Sequence, residues 1–234
     1  MKSVLIKISG ETLSGPSGRF DSGAIAGVCS NIRNTLEDGV GVRLVVGGGN
    51  IVRGRDFQDC QFMATETADS VGMLSTALNA IVIRDALRSY GLKVDIVSPL
   101  QLPFDILSCD IFTVNKLSAC DGIIIFCGGS GLPYFSTDTV AVIAATMTRC
   151  DVLLKATKTD GVYDMDPNEH RDAQHIPELT YNDAISRNLR VMDKTAFEIA
   201  SQKKMPIYVF SVREQDCFRR ALTGEIKMSV IRDT

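Results

Sequence analysis

The chain reads as an α/β protein: a three-layer α/β/α sandwich around a mostly parallel sheet of about eight strands, with residues 1–234 forming one domain. Three observations predict this. Apolar runs recur at residues 3–8, 42–46, 93–98, 111–114, 122–127, 152–156, 206–211 and 227–231. Several, such as Ile123-Ile124-Ile125-Phe126 and Val152-Leu153-Leu154, are almost continuously apolar, as strands covered on both faces are. Helical patterns separate them, and strand–helix alternation implies parallel pairing with helices on both faces.

The elements follow in order. The first run, Ser3-Val4-Leu5-Ile6-Lys7-Ile8, ends in Ser9-Gly10-Glu11. Ile25, Val28, Cys29, Ile32 and Leu36 then recur at helical spacing. Leu44-Val45-Val46 stops at Gly47-Gly48-Gly49-Asn50 and resumes as Ile51-Val52-Arg53-Gly54. Leu74, Ala77, Leu78 and Ile81 mark a second helix. Ser136-Thr137-Asp138-Thr139 precedes an apolar stretch and reads as a helix start with cap candidates. The polar segment Asp164 to Gln174 reads as an ordered loop or small hairpin after a strand, and Val191-Met192-Asp193 starts the helix through Ala196, Ile199 and Ala200. The chain has no internal repeat, low-complexity tract or Pro/Ser linker.

Composition excludes several classes of function. Hydrophobic residues make up 45% and charged residues 23% of the chain, as in soluble globular proteins. A net charge of −3 and a pI near 5.5 argue against nucleic acid as a partner. The start, Met1-Lys2-Ser3-Val4-Leu5-Ile6, is broken too soon for a signal peptide, and no run reaches the length of a membrane span. Seven cysteines at 29, 60, 109, 120, 127, 150 and 217 contain no C-x-x-C and read as free thiols in a reducing cytoplasm. The two histidines, His170 and His175, lack zinc-site spacing, and no nucleophile-elbow pattern accompanies them.

What remains points to phosphate. Glycine turns let backbone N–H groups approach an anion, and Gly47-Gly48-Gly49 leaves one strand while Lys7 with Ser9-Gly10 leaves another. Arg53 follows and can fork onto a phosphate. Neither G-x-x-x-x-G-K-[ST] nor G-x-G-x-x-G is present; the latter would need glycine where Val52 stands. Each candidate also has an ordinary reading. The triple glycine can be a tight turn and Lys7 a solvated strand end. Asp69 can bond a ribose hydroxyl or cap a helix. The loop Gly128-Gly129-Ser130-Gly131-Leu132-Pro133-Tyr134-Phe135-Ser136-Thr137-Asp138 can cradle a phosphate at a helix start or act as a hinge. Lys155 to Pro167 can hold a base and ribose or form a turn. Asp193 can be a cap, or a carboxylate fixing a catalytic lysine.

Taken together, Lys7-Ile8-Ser9-Gly10-Glu11, Gly47-Gly48-Gly49-Asn50 and Lys158-Thr159-Asp160-Gly161-Val162-Tyr163 to Asp166-Pro167 resemble the amino acid kinase superfamily. Gly49-Asn50-Ile51-Val52-Arg53-Gly54, Asp69-Ser70-Val71-Gly72-Met73-Leu74-Ser75-Thr76, Gly131 to Asp138 and Val191-Met192-Asp193 narrow the resemblance to the bacterial uridylate (UMP) kinases, from about residue 3 to the C-terminus. The resemblance implies an amino acid kinase-like fold and an enzyme that makes UDP from UMP with Mg-ATP. It further implies a cytoplasmic homohexamer under allosteric control, with UTP as feedback inhibitor. Lys7, Ile8, Ser9, Gly10, Gly49, Arg53, Thr157, Tyr163 and Asp166 would bind ATP. Gly48, Asp69 and Ser130, Gly131, Leu132, Pro133, Tyr134, Phe135, Ser136 and Thr137 would bind UMP. Lys7 would be the catalytic cation, Asp193 its positioning partner and Asp138 an organiser. Mg2+ would arrive with ATP, without direct side-chain ligation.

The chain departs from that pattern at three places. The family often has Thr-Gly-Asn-Pro where Ser130-Gly131-Leu132-Pro133 stands here, and His-Met where Ser70-Val71 follows Asp69. Many relatives carry Gly-Phe-Gly in an early loop that takes part in GTP activation, whereas this chain has Gly15-Pro16-Ser17-Gly18-Arg19-Phe20. Two alternatives are a kinase of the same fold for a carbamate or carboxylate, and a non-catalytic nucleotide-binding or storage protein.

Overall fold

The computed structural model describes residues 3–52, 54–57, 62–189 and 191–233. The elements in chain order are β1 (Ser3–Ile8), α1 (Ser22–Glu37), β2 (Gly41–Val46), α2 (Thr65–Ser89), β3 (Val94–Ser98), β4 (Ile106–Ser108), α3 (Ile111–Ser118), β5 (Ile123–Phe126) and α4 (Thr137–Met147). They continue as β6 (Val152–Thr157), β7 (Val162–Tyr163), β8 (His175–Ile176), β9 (Glu178–Leu179), α5 (Tyr181–Ser186), α6 (Lys194–Lys203), β10 (Ile207–Ser211), α7 (Cys217–Thr223) and β11 (Met228–Ile231).

Nine strands form one sheet in the order β4-β3-β5-β2-β1-β6-β10-β11-β9. Every neighbouring pair is parallel except β10 with β11. Successive residues of a strand point to opposite faces, and β1 divides accordingly. Val4, Ile6 and Ile8 enter one apolar cluster with residues of α1, α2 and α7. Leu5 enters a second cluster with residues of α4, α5 and α6. These are the helix, sheet and helix layers of an α/β/α sandwich.

Chain order reverses at β1. The chain winds outward through β2 and β5 on one side and through β6 and β10 on the other. Ligands of such sheets bind outside the carboxyl ends of the strands at this switch point. Lys7, the triple glycine and the exit of β6 all lie there.

One expectation needs correction, and others gain detail. Residues 111–114 form the start of α3, because Asp110 caps it, accepting from Phe112 N and Thr113 N at 2.9 Å each. Cap chemistry outweighs the apolar run, which is largely exposed at Ile111 and Phe112. Short strands β4 and β9 extend the sheet to nine. On α2, Leu74 and Leu78 are about half exposed; the packed stripe is Ala77, Ala80, Ile83 and Leu87. That same helix, 25 residues long, is long and apolar enough by length and composition to cross a membrane. In the fold it lies against the sheet, with Ala80, Ile83 and Leu87 fully buried.

The segment Asp164 to Gln174 closes the small antiparallel ribbon β7–β8. The six cysteines among the described residues are free thiols. Cys60 lies outside the described residues.

Candidate active site

The centre of the site follows from strand register. Lys7 of β1 lies opposite Lys155 of β6 in a parallel pair, so both side chains leave the same face of the sheet. Each interrupts a strand whose other residues are almost all apolar and buried. Two ammonium groups this close repel, and the first turn of α4 supplies the carboxylate that separates them. Asp138 Oδ1 lies 2.9 Å from Lys7 Nζ, and Asp138 Oδ2 lies 2.6 Å from Lys155 Nζ. Lys155 also donates to the carbonyl of Val191.

The electrostatics are those of a largely buried triad. Burial disfavours the charged form of Asp138, but the ammonium groups of Lys7 and Lys155 outweigh it and hold the carboxyl at about 2. Burial pulls the Lys155 ammonium down to about 8, against the attraction of Asp138, with Lys7 adding to the fall. One carboxylate between two cations leaves net positive charge at the strand ends, where an anion can be held.

Asp193 does not touch Lys7, so the expected pairing of the two is corrected. Asp193 caps α6, accepting from Ala196 N at 3.0 Å. It also accepts from the Thr139 hydroxyl at 2.9 Å and from the Ser136 hydroxyl. Ser136 in turn caps α4, accepting from Asp138 N at 3.0 Å and Thr139 N at 3.2 Å. Asp193 thus clamps the helix start that carries Asp138, one step further from the lysine than expected.

On the β2 side of this triad lies a cavity of about 200 Å³, bordered by residues that include Gly48, Gly49, Asp69, Leu132, Phe135 and Thr137. One face of α2 supplies its wall and its ties. Asp69, Met73, Thr76 and Asn79 recur at helical spacing along that face. Thr76 accepts from Gly128 N at 2.8 Å. Asn79, fully buried, donates to Gly47 O at 2.6 Å and to Asn50 Oδ1 at 2.7 Å. The glycines are required by close approach: a Cβ at Gly48 would meet Ser75 Cβ at 2.7 Å, and one at Gly10 would meet Gly47 O at 2.5 Å. The β1 and β2 turns therefore pack directly on one another, with Gly47 N donating to Ile8 O at 2.9 Å. Asp69 sits in the second turn of α2 and is not its cap, since Ala64 holds that position.

On the β6 side lies a larger cavity of about 580 Å³, bordered by Lys155, Thr157, Tyr163, Asp166, Leu189 and Val209. Its polar groups are mostly engaged with their own loops. Thr157 bonds Thr159 O at 2.7 Å. Tyr163 donates to Asp160 at 2.6 Å, and Asp166 accepts from Asn168 N at 2.9 Å. Because sheet order places β1 between β2 and β6, Lys7 stands between the two cavities.

The structure therefore gathers Lys7 and Asp138 at the centre. It sets Gly48, Gly49, Asp69, Leu132, Phe135 and Thr137 around one cavity, and Thr157, Tyr163 and Asp166 around the other. Ile8, Ser9 and Gly10 form the β1 exit, where Ser9 caps a short 3₁₀ turn at Gly10–Leu13. Ser130, Gly131, Pro133, Tyr134 and Ser136 do not border the smaller cavity and act within the loop above it; Ser130 closes its turn on Leu132 N at 3.2 Å. Arg53 lies outside the described residues. Sequence reasoning missed Lys155 as a partner of Lys7, although a lone lysine inside Val152-Leu153-Leu154-Lys155-Ala156 is the same signal that Lys7 gives. It also missed Asn79, which no local pattern marks.

This fold, with paired strand-end lysines on one carboxylate between two cavities, is that of a phosphotransferase of the amino acid kinase class. Residues 2–211 match the model of the amino acid kinase family. The chain is 36% identical over 229 residues to the uridylate kinase of Pseudothermotoga lettingae, covering 97% of each chain. The crystal structure of UMP kinase from Ureaplasma parvum superposes with a TM-score of 0.93 at 29% identity over 99% of each chain. That of UMP kinase from Bacillus anthracis gives 0.92 at 31% identity, over 99% of this chain and 96% of the other. The chain belongs to the amino acid kinase family, and within it to the uridylate kinases.

Proposed function

We propose that this protein transfers the terminal phosphoryl group of ATP to UMP, making UDP. The observation that carries the chemistry is the triad Lys7–Asp138–Lys155 standing between a small and a large cavity. The full-length likeness to uridylate kinases selects UMP as acceptor over a carbamate or carboxylate.

The acceptor needs no general base. The second ionisation of a phosphate monoester lies near pH 6, so at neutral pH the attacking oxygen is already anionic. Asp138, held at about 2, is suited to stay charged rather than to take a proton. The obstacle is repulsion between two anionic nucleotides, and catalysis is a matter of positioning and charge. Lys7 and Lys155 place positive charge where the phosphoryl group passes, and Asp138 holds them apart in fixed positions. Asp193 acts on this centre through Ser136 and Thr139.

The smaller cavity takes UMP, with Asp69 toward the ribose and Gly48 and the 130–137 loop toward the rest of the nucleotide. The larger takes the adenine nucleotide through Thr157, Tyr163 and Asp166. The glycine turns at Gly10 and Gly47 to Gly49 would let the backbone approach the phosphates, and Arg53 follows them in sequence. Among the described residues no group of three or more His, Cys, Asp or Glu is placed to hold a metal ion. A magnesium ion carried on the triphosphate would supply charge neutralisation to the transferring phosphate there.

We also propose that residues 1–234 act as one domain in a cytoplasmic homohexamer inhibited by UTP. The half-exposed Leu74 and Leu78 on α2 support a subunit contact there, and light scattering that finds a monomer would refute it. The functional reading is tested by a coupled assay with Mg-ATP and a panel of acceptors. UMP should lead CMP, AMP and dUMP by a wide margin; equal turnover of CMP or AMP would overturn the assignment.

A further inference from the structure

The loop above the smaller cavity and helix α2 share a contact that phosphoryl transfer itself does not call for. Tyr134 has a φ of 70°, a left-handed conformation that aromatic residues seldom adopt. Two contacts hold it, and both land on α2. Its backbone N–H donates to Asp69 Oδ2 at 2.7 Å. Its phenol donates to Glu66 Oε1. Glu66 and Asp69 are three residues apart, so they share one face of the helix, and Tyr134 straddles them. The bond to the phenol also draws the Glu66 carboxyl below its ordinary range, as expected for an acceptor that stays ionised.

The consequence falls on Asp69. One of its oxygens is taken by the loop, and Oδ1 has no hydrogen-bond partner among the described residues. The carboxylate is thus oriented, with one oxygen left for a ligand of the cavity it borders. Without the phenol contact, Tyr134 would be free to return to extended backbone, turning its N–H away from Asp69. We infer that Tyr134 and Glu66 are positioning residues for the acceptor nucleotide: their side-chain bond fixes the loop so that the Tyr134 N–H orients Asp69 toward a ribose hydroxyl. This rests on the reading of the smaller cavity as the UMP site.

The test is steady-state kinetics of Tyr134→Phe, Glu66→Ala, Glu66→Gln and the Tyr134→Phe/Glu66→Ala double variant. UMP is varied at saturating Mg-ATP, and Mg-ATP at saturating UMP. Tyr134→Phe and Glu66→Ala should each raise the UMP KM about three- to tenfold while kcat and the ATP KM stay within about twofold. The double variant should be no worse than either single one, because both remove the same bond. Glu66→Gln keeps an oxygen acceptor for the phenol and should restore most of the UMP affinity. An unchanged UMP KM in Tyr134→Phe, a parallel rise in the ATP KM, additive losses, or no rescue by glutamine would each overturn the inference. A wild-type chain that does not turn over UMP would overturn the functional reading instead. Calorimetric titration with UMP then decides the pair separately, and absent or unaltered binding in Tyr134→Phe overturns it.

Discussion

The two cavities that flank Lys7 are built differently. The smaller one is fastened to a rigid element: side chains of one face of α2 bond to Gly47, Asn50, Gly128 and Tyr134, so two loops are tied to one helix. The larger one is walled by the segment after β6, whose hydrogen bonds close mainly within itself, as in Thr157 to Thr159 and Asp166 to Asn168. The first arrangement transmits any displacement of the helix or loop to the ligand. The second absorbs displacement locally. If the smaller cavity takes the acceptor and the larger the donor, as proposed, this difference predicts tighter discrimination on the acceptor side.

The sharpest test of the centre between them is Lys7→Met, which keeps length and removes charge. A cation contacting the moving phosphoryl group does more for the transition state than for the ground state. Loss of such a contact should lower kcat by about 10²–10³, with a much smaller change in either KM. Asp193→Asn should show a smaller loss of the same kind, because it acts only through Ser136 and Thr139. If Lys7→Met raises a KM with kcat intact, Lys7 belongs to one cavity and not to the centre.

Next in size is a pH effect carried by Lys155. Its folded pKa of about 8 lies below the ordinary 10.5, so it is protonated below about pH 8 and neutral above. Since kcat/KM reports the free enzyme, it should fall on the alkaline side of pH 8. In the ternary complex the phosphates favour the charged form, so kcat should fall only at higher pH. Lys155→Met should abolish the alkaline limb and leave a low, flat profile. For stability the sign is opposite to that of a stabilising pair: the charge on Lys155 costs the fold below about pH 8, and the cost is relieved between 8 and 10.5. Asp138 contributes stability above its unfolded value of 3.8, which is lost as pH falls through about 2. A kcat/KM profile flat to pH 10 in the wild type would remove Lys155 from the centre.

Gly48→Ala probes the acceptor side alone. The added Cβ would stand 2.7 Å from Ser75 Cβ and 3.0 Å from Gly72 O, both on α2, so the loop must move. Displacements well under 1 Å are costly in positioned sites, and the UMP KM should rise about tenfold with the ATP KM nearly unchanged. Thermal melting separates this from unfolding, since overpacking of this kind typically costs about 1–3 kcal/mol. A change shared equally by both substrates would show that the two sides are one unit.

Much of this architecture was legible in the sequence because the sheet is covered on both faces, and such strands announce themselves as apolar runs. The run at 111–114 misled because apolarity does not distinguish strand from helix over four residues, and the deciding group, Asp110, lies just outside it. Lys7, Asp138 and the glycine turns were legible because they sit where strands end and a helix begins. What remained hidden depends on contacts between distant segments. The register that sets Lys7 beside Lys155, and the helix face that sets Asn79 against Gly47, are properties of pairing and packing. The role of Asp193 was misplaced by one step for the same reason.

The smallest effect expected is on the donor side, and it is the one that most directly tests the contrast. The Tyr163 phenol donates to Asp160 at 2.6 Å and accepts from Lys227 at 3.0 Å, while Lys227 also pairs with Asp160 at 2.8 Å. Its ring meets His175 edge-on, with centroids 5.3 Å apart. Tyr163→Phe keeps the ring and this contact, and the Lys227–Asp160 pair still ties the segment. If the donor wall absorbs local change, the ATP KM should rise only about two- to threefold, with kcat and the UMP KM unaltered. Steady-state kinetics with ATP varied at saturating UMP measures this. A rise beyond tenfold, or any loss of UMP affinity, would mean that the donor segment is as tightly coupled to the reacting centre as α2 is, and the division of labour between the two cavities would fail.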